Sequence, residues 1–325
     1  MKQKVLITGA AGSGGSYLAE YIFSHVPNTR VLGTTRSKDF PRNLEAIRDQ
    51  IELHRLDLSD KEAVYKMLDE TRPDIIFHMA SNANVRQSFD IPQEFITNNI
   101  NATLTPLDCV RLLKNKDGYN PIIQICSTSE VYGKVDPKNV PVTEDCPIAP
   151  INPYAVSKLT QDALGHAYFL CYGMNIVRTR MFTYLNARRA DLFATAFAKQ
   201  ILEIKRGEKE VLEHGNLESR RTFIDVRDVA EAYWVATQKG KMGEAYNIGG
   251  SVGISIGEFL DLLIKKMGFP VKTYQNPKLM RPTDTTLQIP DMSKFTRDTG
   301  WKPVIPFDES MDFFIEELCK FWDKK

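Results

Sequence analysis

Short apolar runs alternate with amphipathic stretches through the first half of the chain. Val5-Leu6-Ile7 reads as a first strand and Ser16 to His25 as a first helix. Further strands are expected at Arg30 to Gly33, Ile51 to Leu56, Asp74 to Met79, Pro121 to Cys126 and Met174 to Thr179. Apolar runs this short, separated by helical periodicity, imply repeated βαβ units and a parallel sheet. The expected fold class is therefore α/β, a Rossmann-type doubly wound parallel sheet.

The alternation loosens after about residue 181. Ala194 to Arg206 reads as helix, Arg221 to Val235 crosses from strand into helix, and Ala245-Tyr246-Asn247-Ile248 reads as a late strand returning to the sheet. The remainder, through a Phe259 to Leu263 helix, makes a smaller α/β lobe. The chain carries no repeat, low-complexity stretch or Gly/Ser-rich linker, so the two parts are expected to interleave. Residues 1–180 and 222–248 are assigned to a dinucleotide-binding domain, and 181–221 and 249–325 to a substrate lobe.

Composition narrows the function classes. The 325 residues can bury a sizeable core. Forty-two basic against forty-one acidic residues leave a formal charge of +1, which speaks against nucleic acid and membrane surfaces as partners. An anionic ligand then has to meet a local cluster of arginines. Cys109, Cys126, Cys146, Cys171 and Cys319 are scattered and lack C-x-x-C spacing, so neither a disulfide framework nor a metal site is expected. The N-terminus runs straight into a strand without a signal-peptide core, and no apolar run reaches about 18 residues. A soluble, cytoplasmic protein is expected.

Candidate chemistry begins at Thr8-Gly9-Ala10-Ala11-Gly12-Ser13-Gly14-Gly15, between the first strand and the first helix. Glycines at 9, 12 and 15 allow a tight turn, close approach of the backbone to a pyrophosphate, and close helix-to-sheet packing. That context makes Gly9, Gly12, Ser13, Gly14 and Gly15 a cofactor loop. The second strand runs into Arg36-Ser37-Lys38 with no acidic residue before Asp39. Arg36 and Ser37 offer donors to a 2′-phosphate, which favours NADP, with NAD the alternative. Asp57 and Leu58, after the third strand, are placed beside the adenine, and helix capping is the competing role for Asp57.

A second cluster is Ser127-Thr128-Ser129-Glu130-Val131-Tyr132-Gly133, followed by Tyr154-Ala155-Val156-Ser157-Lys158. A Tyr and a Lys four apart share one helix face, where the ammonium can hold down the phenol's pKa and make it a usable base. Thr128 adds a hydroxyl and Glu130 a carboxylate. Such a site can oxidise an alcohol and also remove a second proton. Tyr132 reads as packing.

With these motifs in order, the chain resembles the extended short-chain dehydrogenase/reductase family, and within it the GDP-mannose 4,6-dehydratases and related nucleotide-sugar 4,6-dehydratases. The likeness includes Asp57-Leu58-Ser59-Asp60, His78-Met79-Ala80-Ser81, Asn99 to Thr103, Tyr246-Asn247-Ile248-Gly249, Arg281-Pro282-Thr283-Asp284 and Gly300-Trp301-Lys302-Pro303. It places Ala80 with the cofactor set and the last two motifs in the substrate lobe. The implied reaction uses and regenerates bound NADP. Tyr154 takes the proton from the sugar O4, Thr128 bridges to O4, and Lys158 bonds the nicotinamide ribose. Glu130 takes the C5 proton, water leaves from C6, and a 4-keto-6-deoxy sugar results. Many dehydratases of other nucleotide sugars carry Asp where this chain has Ser129, which leaves Glu130 to act as both base and acid.

For the substrate diphosphate the resemblance points to Arg221 and Arg281, with Arg188 or Arg189 adding to them. The family's Asn-His pair is replaced here by Thr183-Tyr184, and its Pro before the two arginines by Ala187. That leaves open a sugar other than mannose, such as GDP-N-acetylglucosamine or a GDP-heptose. A nucleotide-sugar epimerase or 4-ketosugar reductase on the same scaffold is the alternative, since Glu-Val-Tyr also occurs in epimerases. A cofactor-binding sensor without chemistry would tend to lose Tyr154 or Lys158. Apolar faces on Pro92 to Leu113 and Tyr154 to Tyr172 lead us to expect a homodimer or homotetramer.

Overall fold

The computed structural model describes residues 2–284 and 287–322. Met1, Thr285, Thr286 and positions 323–325 of the ranges assigned above lie outside the described residues. The first half runs β1 (Gln3–Thr8), α1 (Ser13–His25), β2 (Thr29–Thr35), β3 (Glu52–Arg55), α2 (Lys61–Thr71), β4 (Ile75–His78), α3 (Val85–Asp90), α4 (Pro92–Asp117), β5 (Ile122–Thr128), α5 (Pro153–Tyr172) and β6 (Ile176–Met181). Next come β7 (Tyr184–Leu185), α6 (Phe193–Lys205), β8 (Leu212–His214), β9 (Arg220–Thr222), β10 (Ile224–Asp225), α7 (Val226–Lys239) and β11 (Ala245–Ile248). The described chain closes with β12 (Gly253–Ser255), α8 (Ile256–Met267), β13 (Thr273–Gln275), β14 (Leu287–Gln288), α9 (Ser293–Thr299) and α10 (Phe307–Trp322).

Seven strands make one parallel sheet in the order β11-β6-β5-β4-β1-β2-β3. Val5, Leu6, Ile7, Val31 and Leu32 are buried although they alternate between the two faces, because helices cover both. Leu18, Ile22, Val229 and Tyr233 of α1 and α7 pack on one face. Leu68, Val110 and Tyr168 of α2, α4 and α5 pack on the other. The strand order reverses between β1 and β4, which opens a crevice at the carboxyl ends of the strands. Among the described residues no helix is long and apolar enough to cross a membrane.

The lobe has its own core, in which Phe197, Phe259 and Phe314 bring α6, α8 and α10 together. Around it β9 lies between β12 and β14, β8 pairs with β13, and β7 with β10. The assignment of all of 249–325 to this lobe needs correction. Phe295 and Trp301 belong to the core on the α1/α7 face of the large sheet, where Phe295 packs on Tyr246 and Trp301 bonds Glu231. The chain thus leaves the lobe for α9 and returns to it only with α10. Apolar spacing could not reveal this, because both cores accept the same residue types.

Helix α5 sits tightly on the sheet. A Cβ built at Gly165 would lie 2.6 Å from Ile125 Cδ1, so a larger residue there would force that side chain to move. One turn earlier, Asp162 is 1% exposed and accepts from Arg178 at 2.6 Å and Arg180 at 2.9 Å, both on β6. Burial acts to raise the Asp162 carboxyl, but Arg180 and Arg178 outweigh it and hold it below its ordinary value. A depressed carboxylate contributes stability above its unfolded-state pKa and loses it as pH falls through the folded one. Asp162→Ala leaves two buried guanidinium groups without this partner and is expected to cost about 3–5 kcal/mol at neutral pH. Denaturant unfolding measures this, and the gap from wild type should narrow in acid.

Candidate active site

The cofactor loop is shaped by its glycines. Gly9 has φ +67°, and a Cβ there would lie 2.9 Å from Ala80 Cα, just beyond β4. Two cavities meet at this loop. One, of ≈ 290 Å³, runs from Gly9 and Gly12 to Thr35, Arg36, Asp57, Leu58 and Ala80. The other, of ≈ 500 Å³, runs from Gly9, Gly12, Ser13, Gly14 and Gly15 to Thr128, Ser129, Glu130, Tyr154 and Lys158. Together they form a bent groove across the strand-order reversal, which fits an extended dinucleotide. Arg36 is exposed on the wall, its Nη1 donating to Asn98 Oδ1 at 3.1 Å. Ser37 is also exposed, with its backbone N–H on Thr35 Oγ1. Asp57 accepts from the backbone and the hydroxyl of Ser59, which keep its carboxyl below the usual range. The cap of α2 is Asp60, whose side chain accepts from Ala63 N.

β5 and the start of α5 deliver the reactive groups. Thr128, Ser129, Glu130, Tyr154 and Lys158 are all at most 9% exposed and line the larger cavity. Asn152 joins the two segments. Its Oδ1 accepts from Ala155 N at 2.7 Å and caps α5, while its Nδ2 donates to Glu130 Oε2 at 3.1 Å. Pro153 at the first helical position helps fix the entry of α5. Below the groove, His78 lies between Thr8 and Thr103. Burial, with Lys158 adding to it, pushes its pKa down to about 3, so this imidazole is neutral structure and not a proton carrier.

Burial raises the Tyr154 phenol, and the largest opposing charge is Arg189, with the Thr128 hydroxyl also lowering it. Lys158, four residues further along the same helix, lines the same cavity. The Lys158 ammonium donates to Cys126 O at 2.5 Å, and burial lowers its own pKa. Arg189 is held by Asp191 and by Ala83 O, and reaches the site from the segment after β7.

The arginines divide by environment. Arg221 is 6% exposed and Arg281 is exposed, yet both line the larger cavity, and Arg281 acts electrostatically on Arg221. Arg188 touches the cavity too, but its guanidinium stacks 3.9 Å over Tyr17 and bonds Ser16, Asn43 O and Glu20. Its ion pair with Glu20 fastens the lobe to α1 while the side chain still lines the cavity. Thr183 lines the cavity, as does Tyr184. A Cβ on Gly14 would meet the Tyr184 hydroxyl at 3.2 Å, so this ring reaches the cofactor loop.

Asn152 and Gln288 were missed in the sequence. Gln288 Nε2 donates to Glu130 Oε1 at 3.5 Å, and Asn152 holds the other oxygen. An Asn before Pro153 is a visible cap signal. Nothing local marks Gln288, which lies 158 positions from Glu130.

This fold and site define an NAD(P)-dependent enzyme of the extended short-chain dehydrogenase/reductase class, of the nucleotide-sugar dehydratase/epimerase type. Residues 6–313 match the family described as GDP-mannose 4,6 dehydratase, and the chain belongs to that family. It is 28% identical to a GDP-mannose 4,6 dehydratase of Drosophila melanogaster, over 94% of this chain and 83% of the relative. It is 27% identical to a GDP-6-deoxy-D-mannose reductase of Pseudomonas aeruginosa, over 98% and 97%. The solved structure of RMD from Pseudomonas aeruginosa complexed with NADPH superimposes with TM-score 0.83 at 25% identity, covering 98% of this chain and 99% of that one.

Two outcomes are expected. Asn152→Ala removes a helix cap and should lower stability by about 1 kcal/mol, with a loss of turnover. Asn152→Ser should restore the thermal midpoint but not the turnover, because a serine at the cap cannot also hold Glu130. Arg189→Leu removes a charge that favours the phenolate, so the rising limb of kcat/KM against pH should move to higher pH. Arg189→Lys should largely reverse that shift.

Proposed function

We propose that the protein is a GDP-sugar 4,6-dehydratase that converts a GDP-hexose to its 4-keto-6-deoxy derivative. Mannose, or an N-acetylated or heptose relative, is the sugar. The observation that carries this reading is the buried carboxylate of Glu130 in the same cavity as Tyr154 and Thr128. A simple dehydrogenase needs no such second base. Gly9, Gly12, Ser13, Gly14, Gly15, Asp57, Leu58 and Ala80 would hold the dinucleotide, and Arg36, exposed on the cavity wall with Ser37 beside it, favours NADP. When bound, NADP supplies a hydride acceptor at C4 and, once reduced, a hydride donor for C6.

The protein's own groups move the protons. The Tyr154 phenolate takes the O4 proton while Thr128 orients that oxygen, and Lys158 neutralises charge beside them. The resulting C4 ketone acidifies the C5 hydrogen. Glu130 accepts that proton, the electron pair forms a C5–C6 double bond, and the C6–O bond breaks. The proton on Glu130 leaves with the C6 hydroxyl as water. Ser129, lacking an acidic group, leaves this step to Glu130. Arg221 and Arg281 supply the cationic end for the diphosphate, and Thr183 faces the sugar. We also propose pairing of two copies through α4 and α5, whose exposed Leu104, Val156, Leu170 and Tyr172 would otherwise meet water.

A 4-ketosugar reductase is the second reading, favoured by the near-equal similarity to the Pseudomonas reductase. It would consume NADPH stoichiometrically. The test is a panel of GDP-, UDP-, dTDP- and CDP-sugars with the NADP-loaded enzyme, followed by mass spectrometry. Loss of one water from a GDP-sugar, without net change in cofactor redox state, is expected. Glu130→Gln should lower dehydration by roughly 100-fold or more while still permitting cofactor reduction. Normal dehydration by that variant would remove Glu130 from the C5 step.

A further inference from the structure

Gln288 belongs neither to the acid–base set nor to the phosphate arginines, yet it touches both. It is 4% exposed on β14 and lines the larger cavity. Arg221 Nη1 donates to its Oε1 at 2.5 Å, and its Nε2 donates to Glu130 Oε1 at 3.5 Å. A guanidinium offers only donors and a carboxylate only acceptors. A primary amide carries one group of each kind and so can join them while remaining neutral. Reversing the amide would set NH₂ against guanidinium and carbonyl against carboxylate, so Arg221 dictates which end Glu130 meets. With Asn152 on Oε2, both oxygens of Glu130 are held by amides from different elements.

We propose that Gln288 is a positioning residue for the elimination half of the reaction, aiming Glu130 and linking its orientation to Arg221. This rests on the dehydratase reading above. Arg221 stands at the anionic end of the substrate, so a guanidinium drawn toward a diphosphate carries the amide with it and settles the carboxylate. Among the described residues, Gln288 bonds Arg221 and Glu130 and none of the groups that serve the oxidation. Removing the amide therefore slows proton removal from C5 and spares the removal of the O4 proton.

The test uses the full chain loaded with NADP and the GDP-sugar that the wild type dehydrates in the panel above. Gln288→Met keeps the length and loses the amide. Gln288→Glu keeps the shape and sets a second carboxylate against Glu130, so a folding defect in one variant does not decide the matter. Rapid mixing follows the absorbance of reduced cofactor, and D₂O reports deuterium gained at C5. In both variants reduced cofactor should build up at the wild-type rate and decay about 10–100-fold more slowly, as expected for losing a hydrogen bond to a charged group. Decay at the wild-type rate, or equal slowing of both phases, overturns the proposal. If the wild type dehydrates no GDP-sugar, the dehydratase reading falls and this inference with it, a failure visible before any variant is made.

Discussion

Burial of the Glu130 charge is the constraint around which the site is built. A carboxylate taken from water is costly unless donors surround it. Here they come from separate parts of the chain: Asn152 at the start of α5, Gln288 on β14, and the charge of Arg221 on β9. Each partner has a second duty. Asn152 caps the helix that carries Tyr154, and Gln288 and Arg221 draw the lobe down onto the large sheet. The same contacts that satisfy Glu130 thus set the distance between the phenol and the carboxylate.

The two halves of the proposed chemistry consequently rest on different supports. The oxidising half leans on α5, which Gly165 lets settle against β5 and the Asp162 ion cluster anchors to β6. Arg189, which arrives with the segment after β7, lines the same cavity as its base. The eliminating half leans on the lobe through β9 and β14. An enzyme of this kind has to complete both halves before its intermediate escapes, and a cavity walled by the two parts suits that requirement.

Much of this was legible from local pattern. The strands of the large sheet are apolar runs because both faces are covered, and the glycine loop announces itself by standing between a strand and a helix. Thr128, Glu130, Tyr154 and Lys158 lie in two short segments and converge at one strand end. What escaped notice depends on distance in sequence. Gln288 reads as an ordinary polar residue until β14 lies beside β9, and Arg188 and Arg189 look alike until Glu20 claims the first and Tyr154 meets the field of the second. The excursion of α9 onto the sheet was hidden for the same reason, since Phe295 and Trp301 would suit either core.

The most direct measurement of the central claim is isotopic. A GDP-hexose carrying deuterium at C4 is turned over in ordinary water, and the product is examined by NMR. Two proton movements and one internal hydride return predict that the label reappears at C6 in the 4-keto-6-deoxy product. Loss of the label to free reduced cofactor, or its return to C4 with the C6 hydroxyl intact, would contradict that claim.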